Sequence, residues 1–142
     1  MTQRKLFVYH LISLLLGGLI YIFFRSSSLL MFRWFEYIGI FQYIESTRNS
    51  LLIYSNHLPN WIIYALPDGL WVFSYTCFML SIWTDYTTAK SVIWTLFIPV
   101  FAILTEIGQG LNLIQGTFDS IDLLCYIVGV AFPYILLTIN KN

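Results

Sequence analysis

The chain has 142 residues, of which 58% are hydrophobic and 10% charged, and its formal net charge at neutral pH is zero. Soluble domains carry about 25% charged residues, so this composition excludes an ordinary solvated globule. The zero balance argues against a nucleic-acid groove or a polybasic membrane patch. Five Trp, ten Tyr and twelve Phe, with a mean hydropathy of +0.76, point to the lipid bilayer as the surrounding partner. The expected architecture is a single all-α domain over residues 1–142, a polytopic transmembrane bundle of four spans.

The first span covers Leu6 to Phe24, about 28 Å at 1.5 Å per residue. Arg4 and Lys5 imitate the basic start of a signal peptide. Phe23, Phe24 and Arg25, however, stand where a cleavage site needs small residues, so the segment reads as a retained helix. Ser26, Ser27 and Ser28 offer caps for a helix beginning near Leu29. The stretch Leu29–Glu45 carries Arg33, Glu36, Gln42 and Glu45 and is too polar to span. It reads as an interfacial or re-entrant segment, with Arg33 and Glu36 paired one turn apart. Leu51–Tyr64 reads as a short connection broken by Pro59.

The remaining spans are expected at 66–83, 91–111 and 121–139. Thr84, Asp85, Tyr86, Thr87, Thr88 and Lys90 form a short polar turn, and Asn112–Asp119, with Gln115, Gly116 and Thr117, forms another. Pro67 suits the first turn of a helix, where its missing N–H costs nothing. Pro99 and Pro133 should bend the last two spans, and Gly17 and Gly18 should allow close helix approach.

Four spans place the Arg25–Leu66 segment and the Asn112–Asp119 turn on one side of the membrane. Asp68, Glu106, Gln109, Asp119 and Asp122 then gather at that face, together with Arg25, Arg33 and Arg48 as candidate counter-ions. An Asp at the centre of a spanning helix costs about 2.5–3.5 kcal/mol and less toward the interface, so each carboxylate needs a reason. Asp68 is expected at the positive end of its helix dipole. Asp119 is a natural N-cap, and Asp122, three residues on, completes a capping-box-like pattern. Glu106 lies toward a helix C-terminus, where the dipole disfavours an anion, and shares a face with Gln109. Capping does not account for it. Arg4, Lys5, Lys90 and Lys141 against Arg25, Arg33 and Arg48 favour cytoplasmic N- and C-termini by one charge.

Other chemistry is sparse. His10 and His57 have no partner at metal-ligand spacing, so no metal site is assigned. Cys77 and Cys125 fall at different depths, which argues against a disulfide. No nucleotide loop, nucleophile elbow or zinc-protease motif occurs, and no cofactor is expected.

The stretch Glu106-Ile-Gly-Gln109, then Gly116-Thr-Phe-Asp119-Ser-Ile-Asp122-Leu-Leu, with Gly129 beyond, resembles the VanZ-like family of small membrane proteins. Pro67-Asp68-Gly69 matches the acidic residue that the family carries before an earlier helix. The resemblance covers about 60 residues, Pro67 to Gly129. The chain departs from the pattern at Gly116, where the family has an Arg, at Tyr126, where it often has an Asn, and at Trp71, where it often has a His. Members are linked to low-level glycopeptide resistance, so the resemblance implies a bacterial cytoplasmic membrane and the cell envelope rather than a reaction.

Three functions compete at this stage. An acidic pocket can bind a lipid, envelope precursor or amphiphile. The chain can instead be a non-catalytic subunit packed on membrane protein partners. A hydrolase or transferase using Glu106 with Asp119 or Asp122 as acid and base lacks a nucleophile with an evident activating partner.

Overall fold

The computed structural model describes residues 3–55, 57–83 and 87–139, with Leu52 described by its backbone alone. Thr84, Asp85 and Tyr86 of the expected polar turn, and Lys141 of the charge count, lie outside the described residues. Among the described residues six helices follow in order: α1 (Gln3–Phe24), α2 (Leu30–Tyr37), α3 (Phe41–Ser55), α4 (Asn60–Ile82), α5 (Ala89–Gly110) and α6 (Ser120–Ile139). No strand occurs among the described residues. Four helices, α1, α4, α5 and α6, are long and apolar enough to cross a bilayer. The chain is a multi-pass membrane protein built as a four-span helical bundle.

The helix ends follow local chemistry. At the start of α5 the Thr88 side chain accepts the Ser91 N–H at 3.3 Å. At its end Leu111, Asn112 and Leu113 donate to the carbonyls of Ile107, Gln109 and Gly108, and Asn112 takes φ 57°. Asn tolerates that left-handed conformation better than most residues, so the helix can close its last carbonyls and stop.

Three expectations fail here. The segment 29–45 is two helices, because Gly39 (φ 76°) breaks it between α2 and α3. No serine side chain caps α2. Leu29 is its N-cap, and the Ser26 and Ser28 hydroxyls bond each other. The expected connection over 51–64 is instead the end of α3 and the first turn of α4. The two prolines, Pro59 and Pro67, both suited a helix start, and the chain uses Pro59. Pro67 therefore lies inside α4, where its ring removes the bond to the Ile63 carbonyl. Pro99 and Pro133 also lie inside helices, as expected.

Half of an eighteen-residue stretch of α4 is buried, against 17% in α1 and α6. Helix α4 is thus the central element, with α1 on one flank, α6 on the other and α5 closing beside α4 and α6. The Gln3 side chain donates to the Trp83 carbonyl, so α1 and α4 run antiparallel. Their interface holds a reciprocal polar pair. The His10 ring nitrogen Nδ1 meets the Ser74 hydroxyl at 2.8 Å, and that hydroxyl donates to the His10 carbonyl at 3.1 Å. With its proton committed there, Ser74 leaves Nδ1–H as the consistent histidine tautomer.

Small residues set the helix distances. A Cβ on Gly17 would stand 3.2 Å from the Pro67 carbonyl and 2.7 Å from the Trp71 ring, while Gly18 faces open space. A Cβ on Gly129 would stand 2.7 Å from the Gly69 carbonyl, and one on Gly69 would stand 2.8 Å from Cys125 Cβ. Helices α4 and α6 therefore cross backbone to backbone, an arrangement that dispersion stabilises where lipid supplies no hydrophobic drive between helices.

Candidate functional site: an acidic cluster where α4, α5 and α6 converge

The site begins at the turn between α5 and α6. Glu106 is only 4% exposed, and its carboxylate oxygen Oε1 accepts the backbone N–H of Asp119 at 2.6 Å. Asp119 in turn accepts the Ile121 N–H at 2.8 Å and caps α6 as expected. In a capping box the third helical residue reaches back to the N-cap N–H. Here Asp122 does not. Glu106, contributed by another helix, takes that acceptor position, which explains a buried anion near the C-terminal end of α5.

The residues around Glu106 are arranged to hold the turn. Ile114 and Phe118 fold back onto the spaces left by Gly108 and Gly110. Gln109 lays its amide against Gly116, so close that a Cβ there would stand 2.6 Å from the amide carbon. Gly116 also takes φ 146°, so the backbone conformation favours glycine there. The Arg that the resemblance places at this position would be strained at that φ.

Asp68 and Asp122 behave differently. Asp68 is not at a helix start, as the sequence reading had it. It lies eight residues into α4, about 12 Å from the end at 1.5 Å per residue. Neither carboxylate accepts a hydrogen bond, and Asp122 Oδ1 is buried without a partner. The two lie within electrostatic reach of each other, of Glu106 and of Arg25.

The three candidate counter-ions separate cleanly. Arg25 faces the cluster, its guanidinium held 5.1 Å above the Tyr21 ring and 5.0 Å above the Tyr64 ring. Arg48 does not join it. Buried to 5% exposure, Arg48 donates to the Ile22 and Arg25 carbonyls at the end of α1 and stacks on Phe32. It satisfies helix-end carbonyls, and burial pulls its guanidinium below the ordinary arginine range against the opposing pull of Glu45. Arg33 is exposed, and neither it nor Glu36 has the ion-pair partner that their spacing suggested.

Asp68 opens onto a cleft of about 280 Å³ between the three helices, walled by Trp71, Val72, Ile98 and Tyr126. Tyr126 lies within electrostatic reach of Asp68, Asp122 and Glu106. It was passed over as a site residue in the sequence, although it follows Asp122 by four and so shares its helix face. Trp71 packs at a tilt, 5.1 Å between ring centroids, on Tyr21, over which Arg25 lies.

The result is a cleft with one free carboxylate, Asp68, and aromatic walls, with Asp122 and the Arg25 cation within electrostatic reach. Cys77 and Cys125 are both free thiols. Among the described residues no three His, Cys, Asp or Glu side chains converge closely enough to hold a metal ion. No family model, curated protein or solved structure matches the chain.

Proposed function

We propose that the chain is a VanZ-like integral protein of the bacterial cytoplasmic membrane, with cytoplasmic termini. It binds a lipid, envelope precursor or other amphiphile through a positively charged group at Asp68 and Asp122. One observation carries this reading: Asp122 Oδ1 is buried with no hydrogen-bond donor, beside Asp68, which accepts none either. A buried unpaired carboxylate oxygen costs several kcal/mol, and a cationic ligand group would offset that cost. Trp71 and Tyr126 supply aromatic faces, which attract ammonium groups. These are two of the positions at which the chain departs from the VanZ-like pattern, so the departures fall on the proposed binding surface.

A catalytic reading fits the geometry less well. Glu106 is committed to a backbone N–H. The buried Ser74 hydroxyl is committed to the His10 carbonyl, so neither is poised as base or nucleophile.

The test is purification of the tagged protein in mild nonionic detergent, with mass spectrometry of the molecules that stay bound. An ammonium-bearing lipid or precursor retained by the wild type and lost from the Asp68→Asn/Asp122→Asn double variant is the expected result. Equal retention by both proteins overturns the reading, and a stoichiometric protein partner would make the chain a complex subunit instead.

A further inference from the structure

Helix α2 divides its residues among three surroundings. Successive side chains of an α-helix stand about 100° apart. Met31, Phe32 and Phe35 form the sector packed on the protein. Phe32 is buried, with the Phe35 and Phe41 rings edge-on to it and the Arg48 guanidinium 4.5 Å over its face. Arg33 and Glu36 form a second, charged sector and are exposed. Leu30, Trp34 and Tyr37, with Ile38 just beyond the helix end, form a third, and each of the four is more than half exposed. The sectors lie roughly a third of a turn apart. A helix between protein and water needs one apolar face, and α2 has two.

The level of α2 is set by α1. The first span ends at Phe24, and α2 starts at Leu30 after five intervening residues. One guanidinium clamps the two helices: Arg48 donates to the Ile22 and Arg25 carbonyls and lies over Phe32. Helix α2 is thus held at the height where α1 leaves the hydrocarbon. The surrounding at that height is the lipid headgroup layer, where Trp and Tyr are enriched because their rings meet hydrocarbon and their polar tips meet water. Burial deeper than that is disfavoured, since Arg33 and Glu36 have no partner that would pair them inside the membrane.

We infer that α2 lies flat in the headgroup layer of the bilayer, with Leu30, Trp34, Tyr37 and Ile38 inserted among the lipids and Arg33 and Glu36 turned to water. This anchoring does not depend on what Asp68 and Asp122 bind. The test is site-directed spin labelling of the full chain in vesicles of phosphatidylcholine and phosphatidylglycerol. Collision rates are measured against oxygen, which concentrates in lipid, and against a water-soluble nickel chelate. The label is placed on one cysteine at a time, from Arg33→Cys, Trp34→Cys, Glu36→Cys or Tyr37→Cys, in a Cys77→Ser/Cys125→Ser background.

The ratio of oxygen to nickel collisions should be several-fold higher for Trp34→Cys and Tyr37→Cys than for Arg33→Cys and Glu36→Cys. Nickel access at all four sites puts the stripe in water, and oxygen access without nickel at all four makes the segment re-entrant. Either result overturns the proposal. Low access to both reagents at Trp34→Cys and Tyr37→Cys also overturns it, because a protein partner or a second copy then covers the stripe. A second readout keeps both native cysteines. The fluorescence difference between wild type and Trp34→Phe reports Trp34, and lipids brominated near the headgroup should quench it. An unquenched difference overturns the proposal.

Discussion

The α5–α6 turn and the neighbouring α4–α6 face hold the same residue types and use them in opposite ways. At the turn, Glu106 accepts the Asp119 N–H, Asp119 accepts the Ile121 N–H, and the Gln109 amide packs on Gly116. Within electrostatic reach, Asp68 and Asp122 accept nothing. A carboxylate in a membrane protein is therefore not a functional marker by itself. What distinguishes the two regions is whether the polar atom has already been satisfied by backbone.

This contrast breaks most visibly at Glu106. Glu106→Leu removes the acceptor and strands the Asp119 N–H, which should cost about 2–3 kcal/mol and lower the thermal unfolding midpoint in detergent by several degrees. Glu106→Gln keeps an acceptor oxygen and should recover most of that loss. If Gln were as damaging as Leu, the charge and not the hydrogen bond would be the reason for Glu106.

Gly116→Ala comes next. Its Cβ would push aside the flexible end of Gln109 and hold a left-handed φ, and the backbone strain should cost about 1–3 kcal/mol in the same melt. Asp119→Ala removes one cap and should cost about 1 kcal/mol. That loss should be read as faster amide exchange at Ser120–Asp122, with α4 unaffected.

The spanning helices were legible because runs of eighteen or more apolar residues admit few other structures. The polar residues could be gathered on one face by counting spans alone. Their partners could not. Glu106 pairs with a backbone N–H thirteen residues away, and a backbone group leaves no trace in residue identity. Arg48 looked like a counter-ion because its charge is visible in the sequence. The Ile22 and Arg25 carbonyls it serves are not. The start of α4 was misplaced because Pro59 and Pro67 carry the same signal and only packing chooses between them. Tyr126 was the nearest miss, since its spacing from Asp122 was in plain view.

The most direct test of the division is the thermal unfolding midpoint of Asp68→Asn/Asp122→Asn in lipid-free nonionic detergent. If these carboxylates serve a ligand, neutralising them removes half-buried like charges, and the variant should melt at or above the wild-type temperature. A midpoint several degrees lower would show that Asp68 and Asp122 hold the bundle together as Glu106 does, and would contradict the account.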